Sequence, residues 1–221
     1  MTERETDLIT LSQPRSAISE AYRTLRTNLD FASLDEALRT IAVTSADVGE
    51  GKSTTLANLA VVSAQAGRKV ILVDADLRRP TLHQLFDLPN EAGLTTMVMD
   101  DTALTEPPLQ ETGIKGLSLL SSGPLPPNPA ELIASRRMTE VIVALAEWAD
   151  QVFFDTPPVV AVTDAAVLAT KVDGVLLVVG AGKTRRDYAR TAVERLEQIS
   201  ARLLGAVLTN VEGSAGFSGY Y

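Results

Sequence analysis

The stretch Ile41-Ala42-Val43-Thr44-Ser45-Ala46-Asp47-Val48-Gly49-Glu50-Gly51-Lys52-Ser53-Thr54 decides how the rest of the chain is read. Residues 41–44 are a short apolar run of strand type, and a polar, glycine-rich turn follows. From 54 to 66 the apolar residues Leu56, Leu59, Ala60 and Ala64 have helical spacing, and Gly67 stands where a helix would be capped. Gly51-Lys52-Ser53 matches the second half of G-x-x-x-x-G-K-[ST], with Ala46 where the first glycine belongs. Alanine is tolerated there provided its φ stays negative. Gly49 and Gly51 let backbone N–H groups, including those of Glu50 and Thr54, approach phosphate oxygens. Lys52 supplies a point charge, Ser53 a hydroxyl for Mg²⁺, and the following helix the positive end of its dipole. A glycine-rich turn that merely contains Lys-Ser is the plainer reading. The strand before it and the amphipathic helix after it favour the phosphate loop.

Further apolar runs at 70–73, 117–120, 152–154, 175–179 and 206–208 are continuous rather than alternating, as in strands covered on both faces. Helical stretches at 136–148 and 187–203 separate them. Strand and helix alternating in this way predict an α/β fold, a doubly wound, mostly parallel sheet flanked by helices. Ligands of such sheets lie at the carboxyl ends of the strands. Asp74 and Asp76 follow the second run at i and i+2 and project to one side of an extended chain. Asp155 ends the run at 152–154 and is followed by Thr156-Pro157-Pro158, in the Walker B manner. Each acid alone reads more simply as a strand-end or capping residue. Three of them beside one phosphate loop point to a Mg²⁺–nucleoside triphosphate site. Asn128-Pro129-Ala130-Glu131 reads as a helix start capped by Asn128. His83 and Trp148 read as packing residues, and Arg78 and Arg79 as phosphate-facing, tail-facing or solvated.

The 221 residues, 45% hydrophobic and 22% charged, suit one large core. A net charge of −8 argues against nucleic acid as a partner, because neutralising phosphates needs a basic face. The sequence has no cysteine, so thiolate metal sites are excluded. Its first residues lack a basic segment followed by an apolar one, and no apolar run approaches the ~20 residues of a membrane span. The expectation is one domain at 1–212 with an N-terminal helical segment, a flexible tail at 213–221, and no direct membrane insertion.

In order along the chain stand Glu20-Ala21-Tyr22-Arg23-Thr24-Leu25-Arg26, the phosphate loop, Val73-Asp74-Ala75-Asp76-Leu77-Arg78-Arg79-Pro80, Ser122-Gly123-Pro124-Leu125-Pro126-Pro127-Asn128-Pro129-Ala130-Glu131-Leu132 and Asp155-Thr156-Pro157-Pro158. This set resembles the bacterial tyrosine kinases of capsule and exopolysaccharide export, P-loop ATPases related to the partitioning and septum-placement proteins. The resemblance implies ATP- and Mg²⁺-dependent autophosphorylation of C-terminal tyrosines. By it, Lys52 contacts the phosphates, Ser53 and Asp76 ligate Mg²⁺, and Asp155 supports the metal through water. Asp74 faces the incoming tyrosine hydroxyl. Tyr220 and Tyr221 become the phosphoacceptors, although the family's tail cluster usually holds more tyrosines. Asn210 becomes an adenine contact, with a strand-end turn residue as its plain alternative. Glu20, Arg23 and Arg26 become a subunit contact in a ring-shaped homo-oligomer; without the resemblance they read as an intrahelical ion pair. A cytoplasmic location at the inner face of the plasma membrane, through a transmembrane chain-length regulator, is implied as well. The alternative is an ATP-hydrolysing assembly switch of the partitioning type. Asp47, where partitioning relatives often carry lysine, weighs against it.

Overall fold

Each apolar run read from the sequence lies in a strand, and with one short polar strand they form a single sheet. The computed structural model describes residues 8–32 and 38–211. Along these, α1 (Ile9–Ser12) and α2 (Ala17–Ala32) precede β1 (Thr40–Ser45), α3 (Lys52–Gln65) and β2 (Val70–Asp74). The short helices α4 (Leu82–Leu85), α5 (Leu94–Met99) and α6 (Thr102–Thr105) lead to β3 (Gln110–Glu111) and β4 (Leu117–Leu120). Then come α7 (Pro129–Ala134), α8 (Arg136–Trp148), β5 (Gln151–Asp155), α9 (Asp164–Ala169), β6 (Gly174–Gly180), α10 (Arg186–Gln198) and β7 (Leu203–Thr209).

The strand order is β3-β4-β2-β5-β1-β6-β7. All neighbours are parallel except β3 and β4. The chain winds from β1 outward to β2 and β4, returns through β5, and crosses to β6 and β7 on the other side. The winding direction therefore reverses beside β1, which opens a crevice at the carboxyl ends of β1, β2 and β5.

Two apolar layers explain the continuous runs. Ile41, Val43, Leu72, Phe153, Leu176 and Val178 pack on one face with α2 and α3. Their chain neighbours Ala42, Ile71, Val73, Phe154, Val175 and Leu177 pack on the other with α5, α8, α9 and α10. Phe153 and Phe154 are both fully buried although they point to opposite faces. The edge strand β7 instead alternates, from Gly205 on, between partly buried and exposed positions.

Two helix ends use the same device with different residues. After α3, Gly67 has φ +92; its N–H bonds Ala64 O and that of Arg68 bonds Ser63 O. After α10, Ser200 has φ +55; its N–H bonds Glu197 O and that of Ala201 bonds Leu196 O. The expected helix over 187–203 therefore stops at Gln198, and β7 begins at Leu203, ahead of the expected 206. At α7, Asn128 does not cap through its side chain. Its Nδ2 donates to Glu131 Oε2 at 3.2 Å, while Pro129 starts the helix.

The Gly93 backbone lies hard against the strand-end segment after β4. Leu94 N and Thr95 N donate to Ser121 O and Ser122 O at 2.8 and 2.9 Å. A Cβ on Gly93 would sit 2.0 Å from Ser121 O, although its φ of 174° suits any residue. Gly93→Ala is expected to destabilise the protein by about 2–3 kcal/mol through this overlap, read as a lower midpoint in urea unfolding with an unchanged slope.

Candidate active site

The polypeptide leaving β1 makes the turn that the sequence predicts. Gly49 has φ +72, and Gly51, φ +82, is the N-cap of α3. Among the described residues only Asp87, Ser200 and Asn210 combine a side chain with positive φ, so Ala46 keeps the conformation that alanine needs. Lys52 and Ser53 thus open α3 with the helix N-terminus behind them.

Five side chains, from α3, from β2 and the residues just past it, and from β5, converge there. Lys52 Nζ lies 2.7 Å from Asp155 Oδ1 and 3.8 Å from Asp76 Oδ2. Ser53 Oγ donates to Asp155 Oδ2 at 2.5 Å. Asp74 and Asp155 are register partners at the ends of β2 and β5. Asp74 Oδ2 accepts from Thr81 N and Leu82 N, both at 2.9 Å, whereas its Oδ1 is buried without a partner. Asp76, just past β2, accepts from Arg78 N at 3.3 Å and Arg79 N at 3.0 Å. The strand ends are themselves tied together: Thr156 Oγ1 donates to Val43 O and Thr44 Oγ1 to Pro157 O, each at 2.9 Å.

Three carboxylates face one ammonium in a nearly water-free place, which leaves two negative charges without a counterion. Burial, then the charge of Asp155, pushes the Asp74 carboxyl up to about 7, against the pull of Leu82 N–H and Lys52. Burial also raises the Asp155 carboxyl, against the pull of Lys52. Among the described residues no group of three or more His, Asp or Glu side chains is arranged to hold a metal by itself. The donors present are oxygens: one hydroxyl, carboxylates and a buried unpartnered Oδ1. That set fits a hard divalent cation that takes its remaining ligands from phosphate and water.

Other sequence-expected residues have varied surroundings. Thr54 is exposed, and Asn210, at φ +54, is exposed just after β7. Glu20 and Arg23 form an ion pair at 2.5 Å, and Arg26 NH1 donates to Val62 O on α3 at 3.3 Å. Tyr220 and Tyr221 lie outside the described residues. His83 is partly buried with an unpartnered Nδ1, while Trp148 is half exposed rather than packed. Arg78 commits Nε and NH2 to the buried Asp164 at 2.8 and 3.0 Å. Sequence reasoning missed that pair; the signal was a carboxylate interrupting an otherwise apolar run. It also missed the Glu50 side chain, which folds back onto its own loop.

A family model described as ParA, the NUBPL iron-transfer P-loop NTPase, matches residues 36–216. A sequence without cysteine has no thiolates for iron, so the match is one of P-loop architecture. Tyrosine-protein kinase YwqD of Bacillus subtilis (strain 168) is 46% identical over 216 residues, covering 97% of this chain and 91% of that protein. The putative tyrosine-protein kinase CapB of Staphylococcus aureus is 38% identical, covering 95% and 91%. The kinase domain of Escherichia coli tyrosine kinase ETK superposes with a TM-score of 0.90 at 34% identity, covering 100% of this chain and 86% of that one. The chain belongs to the bacterial tyrosine kinases. Within that family, Lys52, Ser53, Asp74, Asp76 and Asp155 form its candidate active site.

The raised Asp74 carboxyl makes this kinase's stability depend on pH. Well below pH 4, the group is protonated whether the chain is folded or not. Between about 4 and 7 the unfolded chain ionises first, so stability falls as pH rises through that window. Asp74→Asn removes the ionisation. Without nucleotide, the variant is expected to melt roughly 5 °C or more above the parent at pH 8, with only a small part of that gap left at pH 4, as read by calorimetry.

Proposed function

We propose that this kinase transfers the γ-phosphoryl group of ATP to Tyr220 and Tyr221 of a neighbouring copy, with Asp74 accepting the phenolic proton. The observation that supports this most directly is the state of Asp74. Two backbone N–H groups fix one of its oxygens, the other is buried and unpartnered, and its carboxyl sits near 7. A positioned acceptor titrating near operating pH is what proton removal from a hydroxyl of pKa about 10 calls for.

The remaining residues divide the work. Lys52, held by Asp155 and near Asp76, is placed to hold phosphate oxygens, and the loop N–H groups with the α3 N-terminus add to that field. Ser53, Asp76 and, through water, Asp155 would hold Mg²⁺. The ion supplies charge neutralisation to the phosphates when bound. As the tyrosine oxygen bonds to the γ-phosphorus, the bond from that phosphorus to the β–γ bridging oxygen breaks, and ADP leaves. The phenolic proton goes to the Asp74 carboxylate. Asn210 faces the adenine in this reading. Glu20, Arg23 and Arg26 on α2 bring copies together in a ring, and a transmembrane chain-length regulator recruits the ring to the inner face of the membrane in capsule or exopolysaccharide synthesis. No helix among the described residues is long and apolar enough to cross a membrane.

Phosphopeptide mapping after incubation with Mg-ATP tests the acceptors. Tyr220→Phe/Tyr221→Phe is expected to lose phosphotyrosine while retaining ATP hydrolysis. Label that persists on another tyrosine would overturn the assignment, and unchanged hydrolysis without any phosphotyrosine in the parent would favour the assembly switch. Lys52→Met is expected to lower both phosphorylation and hydrolysis by about 100-fold or more, measured as initial rates.

A further inference from the structure

The phosphate loop is strapped to the turn after β6 by residues that lie outside its motif. The Glu50 carboxylate, 1% exposed, accepts at Oε2 from Ala46 N and Asp47 N at 2.9 and 3.1 Å. At Oε1 it accepts from the Thr184 hydroxyl. That hydroxyl also accepts from Gly180 N at 2.9 Å, so its single proton is directed to Glu50. Lys183 Nζ donates to Gly49 O at 2.8 Å, and Thr209 Oγ1 donates to Glu50 O at 2.7 Å. A Cβ on Gly49 would come within 2.9 Å of the Lys183 ammonium, which shows how closely the turn lies on the loop.

A glycine-containing loop loses much conformational freedom when it closes on phosphate. Ties that remove this freedom beforehand strengthen binding without touching the ligand. Here the first two loop N–H groups are occupied by Glu50. Glu50 in turn is held by a hydroxyl on a different crossover, 134 residues away in sequence. We infer that Thr184, acting through Glu50, is a positioning residue that shapes the phosphate loop for nucleotide. The inference rests on the loop being the ATP site. It adds that nucleotide affinity is set partly from the β6–α10 turn, so that binding responds to whatever moves that turn.

Thr184→Val keeps the side-chain shape and removes the hydroxyl; Thr184→Ala removes both the hydroxyl and the γ-methyl group; Thr184→Ser keeps the hydroxyl. Titration calorimetry with Mg-ADP, steady-state KM and kcat for ATP, and amide exchange at Ala46 and Asp47 are measured on the full chain. In Thr184→Val and Thr184→Ala, affinity is expected to fall and KM to rise by about tenfold, with kcat at saturating ATP within about twofold of the parent. The two amides exchange faster, and Thr184→Ser restores parent values. A parent that binds Mg-ADP while both hydroxyl-free variants bind it equally well overturns the strap alone. So does a Thr184→Ser variant as impaired as Thr184→Val. A parent that binds no nucleotide overturns the ATP-site reading, and the inference with it.

Discussion

Three carboxylates buried around one ammonium are the constraint on which the rest of this structure depends. Removing unpaired charge from water costs several kcal/mol per ion unless partners replace the lost solvation. The partners here are specific: Lys52 and Ser53 on Asp155, backbone N–H groups on Asp74 and Asp76. Even so, Asp74 is left with a buried oxygen that nothing satisfies. Such an arrangement persists only on a scaffold that does not yield. The scaffold is the centre of the sheet, where β1, β2 and β5 are completely buried between two apolar layers. The strand ends cannot splay to let water relieve the crowding, because threonine hydroxyls cross-link them to neighbouring carbonyls.

Two residues of spacing separate acids with different surroundings. Asp74 is the last residue of β2, opposite Asp155 and deep in the sheet, and its carboxyl is pushed toward neutrality. Asp76 lies beyond the strand, where the N–H groups of Arg78 and Arg79 converge on one of its oxygens. Arg78 meanwhile reaches across to Asp164 at the start of α9, which pins the segment carrying Asp76 to a helix from the other half of the chain. The two acids thus differ: burial raises the first, while the second holds one oxygen on backbone N–H groups and the other 3.8 Å from Lys52 Nζ.

The central strands were legible because both faces are buried, so hydrophobicity alone marks them. The site acids were legible because each directly follows such a strand. Features lacking either mark were not. Strand β3 is two polar residues, Gln110 and Glu111, and exists only through pairing with β4. The end of α10 is set by Ser200 in a conformation usually given to glycine, so no glycine flags the stop. Trp148 sits on a helix whose apolar stripe suggests burial, yet it lies at the last turn, beyond the layer that covers that face. The Arg78–Asp164 and Thr184–Glu50 pairs join residues 86 and 134 positions apart, and only the topology brings them together.

Position 47 bears on what kind of P-loop enzyme this is. A lysine there would extend from the loop and carry charge to a second subunit's phosphates. Asp47 instead turns back: its Oδ1 accepts from Val48 N at 2.7 Å, and its own N–H is bound by Glu50. The loop is thus completed within one chain and sends no cation outward. The same loop is tied to the edge of the sheet, where Thr209, the last residue of β7, donates its hydroxyl proton to Glu50 O.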